Sequence, residues 1–469
     1  MLCTYGCAML LARHIVGGVP CMDSTFYFQW QYLITHINNL HYEKFQDGTV
    51  KCIEDEIPFE VPEGWCWCRL RDICMMLAGK SKPADQIKSE YFEGSYPCFG
   101  GNGIRGYVDE YNQDGTFSIV GRQGALCGNI NVATGKFYAT EHAVVTTLFV
   151  GIDFKWSNYI LEALRLNKYA TGAAQPGLSV ANILNVFVPI PPTQEQDRIG
   201  NNIDKSLKII EVIEQEKTDL QKNIITAKSK ILDLAIRGKL VPQAPNGEPA
   251  SVLLERIRAE KEKLILQGKI KRDKKESVIF KGDDNSYYGI SLPTGWSWTI
   301  LKDISFSISD GSHNPPSNKE FGVPLLSAAN VNNNSILINN ASRWITNEEW
   351  EIENQRTDIE IGDVLLTIVG SIGRSAVVET NEHFALQRSV AVIKPCLISP
   401  FYLMRIFQAP QIQKWINDNS KGTAQKGIYL NALSIMTVPI PPLDEQLRIV
   451  KQISIFFEQL DLISSSLLC

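Results

Sequence analysis

Polar side chains set beside glycines are the residues of this sequence best suited to chemistry, and they fall in two regions. The guanidinium of Arg pairs with guanine edges, and the amide of Asn or Gln pairs with adenine edges. A neighbouring glycine lets a backbone come close to a phosphate. Ordinary polar turns with structural glycines are the alternative interpretation of the same loops. The candidate nucleic-acid contacts are Asn102, Arg105, Arg122, Gln123 and His142 in the first region and Ser312, His313, Asn314, Ser371, Arg374, Gln387 and Arg388 in the second.

Motifs that would support catalysis are incomplete. Asn314-Pro315-Pro316-Ser317 has a serine where amino-group methylation of a flipped base needs an aromatic ring. The glycine-rich run 100–106 is not followed by the helix pattern of a dinucleotide site, and Gly79-Lys80-Ser81 lacks the upstream glycine of a P-loop. We therefore expect no catalytic residue and no cofactor on this chain.

An internal repeat predicts the elements that must position these loops. Residues 62–73 read PEGWCWCRLRDI and residues 293–304 read PTGWSWTILKDI, while residues 188–199 read VPIPPTQEQDRI and residues 438–449 read VPIPPLDEQLRI. A repeat of this length predicts two similar modules on one chain. The landmarks recur but the sequence between them does not, so each module is expected to recognise something different.

Each module is predicted to mix short strands with helices, giving an α/β (α+β) architecture in two copies. Runs rich in β-branched residues separated by glycine turns predict strands, and apolar residues at helical spacing predict helices. The predicted strands are 116–120, 144–150, 363–369 and 389–393, and the predicted helices within the modules are 155–168 and 399–419.

A long helix is predicted after the first module, with Thr193 as its cap, Gln196 three residues later, and Gly238 at its end. Apolar residues at alternating steps of three and four predict a coiled-coil seam, and the seam recurs after the second module. The two helices are expected to pair as an antiparallel coiled coil, and a 40-residue helix would space the modules by about 60 Å. A simple surface helix is the alternative. The seam residues are Ile199, Ile203, Leu207, Ile210, Ile213, Leu220, Ile224 and Ile231, then Ile449, Ile453, Phe457, Leu460 and Ile463.

These landmarks predict the domain boundaries. A third helix, 250–268, is expected within the connection between the modules. The predicted segments are an atypical N-terminal stretch 1–40, a first recognition module 41–192, a first coiled-coil helix 193–238, a second spacer helix with linker 239–289, a second recognition module 290–442 and a distal helix 443–469.

Composition and charge narrow the class of protein. The apolar fraction of 44% and the charged fraction of 21% are typical of a globular protein. The net charge of −5 does not by itself indicate nucleic-acid binding, although a chain with this net charge can still have one basic face. Nine of the eleven cysteines precede residue 130, so they do not recur with the repeat as a disulfide or zinc framework would. We expect reduced thiols, no metal, no membrane span and a cytoplasmic location.

The order and duplication of these motifs resemble the specificity subunit of type I restriction-modification systems. The resemblance rests on Gly64-Trp65-x-Trp67 and Gly295-Trp296-x-Trp298, on GDVLLTIVGSIGR at 362–374, on the two VPIPP segments, and on IRGKLVPQ with the helix after it at 236–264. It implies two target-recognition domains that each read half of a split double-stranded DNA target, and helical spacers that bind two modification (methyltransferase) subunits.

The same resemblance implies where the chemistry of such a complex lies. S-adenosylmethionine is expected on the methyltransferase partner, and ATP and magnesium on a restriction subunit that can join. The second coil is predicted to be shorter than the first, and 1–40 does not resemble the family's N-terminal arm. The alternative hypothesis is therefore a recombined or truncated specificity cassette that folds and binds DNA without assembling an active complex.

Overall fold

The computed structural model describes residues 40–467, apart from 46, 125, 173–175, 245–246, 271, 273–286 and 423–425. The predicted N-terminal stretch 1–40 therefore lies outside the described residues except for Leu40. Contacts divide the chain into two compact units, with the boundary between Ile213 and Glu214. Within the described part of the chain, no helix is both long enough and apolar enough to cross a membrane.

The first unit is built around a six-stranded sheet in the order β4-β9-β7-β8-β5-β6. Neighbouring strands are antiparallel except for β5 and β8, which are parallel. The elements of this unit are β1 (Tyr42–Lys44), β2 (Val50–Cys52), β3 (Cys66–Arg69), β4 (Cys74–Ala78), β5 (Tyr96–Gly100), β6 (Gly103–Val108), β7 (Gln113–Gly121), β8 (Ile130–Ala139), β9 (Ala143–Leu148), α1 (Phe154–Ala163), α2 (Val180–Leu184), β10 (Phe187–Ile190) and the start of α3 (Thr193–Ile236).

The second unit has a four-stranded antiparallel sheet, β12-β20-β17-β18, beside a three-stranded sheet, β16-β13-β19. Its elements after α3 are α4 (Ala250–Leu266), β11 (Ser297–Ile300), β12 (Ser305–Asp310), β13 (Val323–Leu326), β14 (Val331–Asn332), β15 (Ser335–Ile336), β16 (Trp344–Ile345), α5 (Asn347–Thr357), β17 (Val364–Thr367), β18 (Ser375–Val377), β19 (Ala385–Leu386), β20 (Val390–Pro395), α6 (Pro400–Gln408), α7 (Pro410–Asp418), α8 (Leu430–Ser434), β21 (Thr437–Ile440) and α9 (Leu443–Ser466).

Two of the predicted helices are interrupted, and the backbone gives the reason. The helix predicted over 155–168 ends at Ala163, because Arg165 adopts a left-handed φ of 48° before a short 3-10 turn. The helix predicted over 399–419 is two helices, since Pro410 forces the preceding Ala409 into an extended conformation with ψ of 142°. The four predicted strands lie at β7, β9, β17 and β20.

Helix α5 was not predicted, although its start carries a sequence signal. The hydroxyl of Thr346 accepts from the N–H of Glu349, and the carboxylate of Glu349 accepts from the N–H of Thr346. This reciprocal pair is a capping box, recognisable as Thr-x-x-Glu. The helix itself is strongly polar, so it lacks the apolar periodicity on which helix prediction depends.

The repeated landmarks of each module are hydrogen-bonded to each other. Strand β3 pairs antiparallel with β10, so Trp67 lies opposite Pro189, and β11 pairs with β21, so Trp298 lies opposite Pro439. Trp67 and Trp298 are both buried. The two strands that carry the repeated landmarks of each module therefore form one two-stranded ladder that closes the segment between them. We call this ladder the closing ladder.

A buried glutamine fastens the helix after each closing ladder to the same module. In the first unit, Nε2 of Gln196 donates to the carbonyl of Pro191 (2.9 Å), and Oε1 accepts from the N–H of Asp153 (2.9 Å). Asp153 caps α1. The side chain of Gln196 thus joins the end of the ladder to the cap of the module's helix.

The second unit repeats this arrangement 250 residues later. Nε2 of Gln446 donates to the carbonyl of Pro441 (3.1 Å), and Oε1 accepts from the N–H of Ser399 (3.0 Å), which caps α6. Both glutamines are buried, with 1% of Gln196 and 0% of Gln446 exposed. We call this arrangement the glutamine clamp.

The start of α3 corrects one sequence prediction. Thr193 is not the cap, because the N–H of Gln196 donates to the carbonyl of Pro192 and the helix already includes Thr193. The Thr193 hydroxyl donates instead to the carbonyl of Gly151 (3.2 Å). Gln196 serves the clamp rather than a capping box.

In the second unit, α9 lies antiparallel to the second half of α3. Lys228 forms an ion pair with Asp461 and lies over the ring of Phe457, 5.1 Å from its centroid. Further along the chain, Nε2 of Gln243 donates to the buried carboxylate of Glu445 (2.8 Å), so the two segments run in opposite directions. Burial raises the pKa of Glu445. The second half of α3 therefore pairs with the helix that follows the second module, whereas the predicted seam residues Leu207, Ile210, Ile213 and Leu220 are exposed.

The glutamine clamp predicts a specific stability defect. Gln446→Ala leaves a buried carbonyl and a buried N–H without partners, and each such group costs about 1–3 kcal/mol. We expect the free energy of unfolding of the second unit to fall by about that amount or more, measured by denaturant unfolding. Gln459→Ala, at an exposed position of the same helix, is the matched control and should change stability little. Equal stability of the two variants would contradict the clamp.

Candidate nucleic-acid interface

Three loops of the first unit meet where β7 ends. A Cβ built on Gly121 would lie 2.0 Å from the carbonyl oxygen of Gly101, and one built on Gly101 would lie 3.3 Å from the carbonyl oxygens of both Gln123 and His142. The N–H of Arg122 donates to the carbonyl of His142 (2.9 Å). Four of the sequence-predicted residues, namely Asn102, Arg122, Gln123 and His142, therefore belong to one group of loops.

Two asparagines that sequence reasoning missed lie in the same group. Nδ2 of Asn129 is 3.4 Å from Oδ1 of Asn102, and Oδ1 of Asn131 lies 3.1 Å from the position of a Cβ on Gly103. Asn129 is exposed and Asn131 is half-buried. Their sequence signal is weak, because neither residue stands in a motif and the one cue is the glycine that precedes Asn129. Amide side chains are suited to adenine edges, so both extend the candidate set.

The predicted residues of the first unit differ in how much their side chains are held. Arg105 and Gln123 are exposed, as is Asn102. Arg122 is half-buried, and its Nε lies 3.4 Å from the carbonyl of Leu178. Nε2 of His142 lies 3.4 Å from the carboxylate of Glu141. The exposed members of the set are the ones with side chains available to a large ligand.

In the second unit, the loop after β12 meets the loop before β20. The N–H of Ser312 donates to the carbonyl of Leu386 (2.7 Å), and the N–H of Arg388 donates to the carbonyl of Ser312 (2.9 Å). Ser312 is only 7% exposed, whereas His313, Asn314 and Arg388 are exposed. The predicted residues from these two loops, including Gln387, are thus brought together by backbone pairing.

A buried aspartate that sequence reasoning missed organises this loop. Nε2 of His313 lies 2.8 Å from Oδ2 of Asp310, and the guanidinium of Arg356 pairs with Oδ1 of the same carboxylate. Nε of Arg356 also donates to the carbonyl of Asp310 (2.9 Å). Asp310 is 6% exposed, and its carboxylate, which is held by Arg356, orients the imidazole of His313. Only the tertiary fold identifies Arg356, because it stands on the unpredicted helix α5.

Ser371 and Arg374 lie on the turn between β17 and β18, beside the loop of Arg388. The N–H of Ile368 donates to the carbonyl of Ser389 (2.9 Å), which joins the two segments. A guanidinium N–H of Arg374 donates to Oδ1 of Asn332 (3.1 Å), and the hydroxyl of Thr367 bonds the carbonyl of Ser371 within the turn. Ser371 is exposed and Arg374 half-buried, so Arg374 is partly committed to the structure of the turn.

The glycines of these loops allow backbone to approach backbone. A Cβ on Gly311 would lie 2.1 Å from the carbonyl oxygen of Leu386, just as one on Gly121 would strike Gly101. Neither Gly121 nor Gly311 has a positive φ. A glycine beside a polar residue is expected to admit a phosphate, whereas these two glycines are needed for the close approach of neighbouring loops.

Among the described residues, one grouping has ligand types and spacing suited to a metal ion, formed by His41, Glu54 and Glu60. Nδ1 of His41 already lies 3.0 Å from Oε2 of Glu54, and the same oxygen accepts from the N–H of His41 (2.9 Å). This is an ion pair at the edge of the first unit, and we assign no metal to it.

Four buried cysteines, Cys68, Cys74, Cys98 and Cys396, have thiols that stay protonated at neutral pH. Burial raises the pKa of Cys74 to about 12 and that of Cys396 to about 11, and it raises the pKa of Cys68 and Cys98 as well. A thiol that does not ionise at neutral pH is a poor nucleophile and a poor metal ligand. These cysteines serve as small apolar residues of the core.

The sequence matches the family described as "Type I restriction modification DNA specificity domain" over residues 62–222 and again over residues 301–467. Together the two matches cover more than half of the chain, and each runs from a recognition module into the helix that follows it. The chain therefore belongs to the family of type I restriction-modification specificity subunits.

Individual relatives agree with this assignment. The EcoprrI specificity subunit of Escherichia coli is 41% identical over 165 residues, which are 35% of this chain and 40% of that subunit. The chain thus matches about two fifths of the length of that relative. The EcoEI specificity subunit of Escherichia coli is 24% identical over 515 aligned residues, covering 90% of this chain and 83% of that subunit.

Solved structures show the same fold. The HsdS subunit from Thermoanaerobacter tengcongensis superposes with a TM-score of 0.53 at 17% identity, covering 88% of this chain and 93% of that one. A chain from a structure titled for complex assembly and conformational transition of the type I R-M system gives a TM-score of 0.54 at 17% identity, covering 87% and 94%. The predicted fold of two α+β recognition domains with coiled-coil helices is confirmed.

The loop packing in the first unit predicts a strong effect of one methyl group. Gly121→Ala places a Cβ against the Gly101 carbonyl, so the loops must separate, and overpacking of this kind typically costs about 1–3 kcal/mol. We expect a lower melting temperature of the first unit in calorimetry and weaker DNA binding. Gly177→Ala is the control, because its φ is not positive and its nearest neighbour would be 3.9 Å away. A neutral Gly121→Ala would mean that the loops are not held in contact.

Proposed function

We propose that this chain is a non-catalytic subunit that reads a bipartite double-stranded DNA target, one half with each recognition module. The proposal rests on the contrast between the repeated structural frame of the two units and the unlike loops that this frame supports. The closing ladder and the glutamine clamp are the same in both units, while the loops they support carry different side chains. A frame repeated with unlike polar loops is suited to reading two unlike half-sites.

The exposed side chains support direct reading of bases. Asn102 and Gln123 in the first unit and Arg388 and Asn314 in the second are exposed on loops whose backbones are tied together, and Arg105 is exposed on strand β6. Guanidinium and amide groups make bidentate bonds with guanine and adenine edges in the major groove. A loop that is held by its neighbours loses less conformational entropy when it binds, which favours specificity.

We propose further that the spacer helices dock two modification subunits. Large apolar side chains of α3 are exposed on this chain, although such residues are normally covered by a partner. S-adenosylmethionine would then belong to the methyltransferase partner, and ATP and magnesium to a restriction subunit as a further partner. The site of action would be cytoplasmic DNA. The exposed apolar residues of α3 are Leu207, Ile209, Ile210, Val212, Ile213, Leu220 and Ile225.

A module exchange tests the reading proposal. Residues 66–187 are replaced by the matching segment of a relative, and the chain is expressed with its cognate modification subunits. Sequencing of methylated bases should show one split motif for the original chain and a change in one half only for the hybrid. A change in both halves, or no methylation despite a stable complex, would sink the proposal. An original chain that folds but does not co-purify with the modification subunits would favour the recombined or truncated cassette that does not assemble an active complex.

A single substitution tests the role of the exposed arginine in the second unit. Arg388→Ala should cost about 1–3 kcal/mol of discrimination at one base pair of one half-site and leave the other half-site unchanged. The readout is the affinity of the complex for duplexes varied at each position. Arg258→Ala, at an exposed position of α4, is the matched control. A uniform loss of affinity on all duplexes would assign Arg388 to phosphate contact instead.

A further inference from the structure

A short backbone bridge recurs beside the candidate interface of each unit. In the first unit, Gly177 bridges to both Gln123 and Thr171. The N–H of Gly124 donates to the carbonyl of Pro176 (3.0 Å), and the N–H of Leu178 donates to the carbonyl of Arg122 (2.8 Å). The segment around residue 177 is thereby fixed against residues 122–124, directly after strand β7.

The second unit has the same pattern with different residues. Gly427 bridges to both Val369 and Lys421. The N–H of Gly370 donates to the carbonyl of Lys426 (3.2 Å), and the N–H of Ile428 donates to the carbonyl of Ile368 (2.9 Å). The two bridges agree bond for bond, so they define which residues are equivalent.

The equivalence shows that the positively charged residues stand on different segments in the two units. Arg122 and Gln123 of the first unit correspond to the apolar Ile368 and Val369 of the second. In the opposite direction, Thr171 corresponds to Lys421, and Pro176 corresponds to Lys426. The first unit therefore has its cation directly after strand β7, whereas the second unit has two cations on the segment that the bridge places opposite.

The environments of these cations differ as well. Arg122 is half-buried with its guanidinium near the carbonyl of Leu178, whereas Lys421 and Lys426 are both exposed. The carbonyl of Lys426 accepts from the N–H of Gly370, directly before the turn of Ser371 and Arg374, and the backbone of Lys421 pairs with Gly427, which itself bridges to Val369. An ammonium group on a flexible stem is a compact point charge that suits phosphate oxygens and carries no base preference.

We propose that Lys421 and Lys426 form a phosphate-contact site of the second module, for which the first module has no counterpart at the equivalent positions. The site takes phosphates of the DNA backbone flanking the half-site read by the second module. This inference rests on the proposed function. It means that the two half-sites are held unequally, with the second anchored more by charge and the first more by its reading loops.

Salt dependence of DNA binding distinguishes such contacts. Each phosphate neutralised by a cation contributes about 0.9 to the slope of log affinity against log salt concentration for B-form DNA. In the complex with the cognate modification subunits, Lys421→Thr with Lys426→Gln should lower the magnitude of that slope by about 1.8. Specific and non-specific duplexes should lose affinity by similar factors, and the loss should shrink as salt is raised.

The first unit supplies a reciprocal experiment. Thr171→Lys with Pro176→Lys transplants the two cations onto the same bridge, whose backbone carries lysines in the second unit. The slope should increase by about 1.8 if both lysines reach phosphates there. Lys451→Gln, at an exposed position of α9, is the control for loss of one positive charge and should leave the slope unchanged. Circular dichroism and melting temperature establish that each variant is folded.

The outcomes separate this inference from the proposed function. An original complex that binds no DNA at any salt concentration overturns the proposed function and this inference with it. An original complex that binds its target, together with a Lys421→Thr, Lys426→Gln variant of unchanged slope, overturns the phosphate site and leaves the proposed function standing. A variant that loses affinity for one duplex sequence only would also overturn it, since it would assign the lysines to base reading.

Discussion

The closing ladder is the constraint on which each module depends. In each unit the strand after the Gly-Trp signal pairs with the strand of the Pro-Ile-Pro-Pro signal, so the two ends of a long segment are fixed side by side. The buried glutamine then bonds both the end of this ladder and the cap of the module's own helix. An unpaired buried polar group is costly, so the helix after the module can leave in only one direction without losing these bonds.

This constraint leaves the interior of each module free to vary. Loops attached to a closed frame need only reach one another, and they do so through different strands in the two units, a six-stranded sheet in one and separate four- and three-stranded sheets in the other. Glycines such as Gly121 and Gly311 permit the closest approaches, because any side chain there would overlap a neighbouring carbonyl. Specificity can thus change by substitution in loops while the connection to the helices stays the same.

The sequence was most informative where local signals agree with the fold. The repeat, the order of its landmarks, the long helix from 193 and the strands around 116–120 and 363–369 could all be read from the chain. Prediction was wrong where a local conformation decides, as at Arg165 and Ala409, and it missed α5 because a polar helix has no apolar period. The candidate loops were found as sets, but four residues were missed. Asn129 and Asn131 meet Asn102 and Gly103 only in the fold, and Asp310 pairs with Arg356 across 46 residues of sequence.

The sequence by itself determined that two modules share one frame, because pairs of similar landmarks recur in the same order. Such a recurrence is expected only if the two modules share a structure. It also determined which segments vary. The tertiary structure alone decided that Arg122 corresponds to Ile368, whereas the correspondence of Thr171 with Lys421 also follows from the 250-residue spacing of the landmarks after each module. The physical reason is that equivalence here is set by backbone hydrogen bonds, which are indifferent to side-chain identity, whereas a sequence records only the side chains.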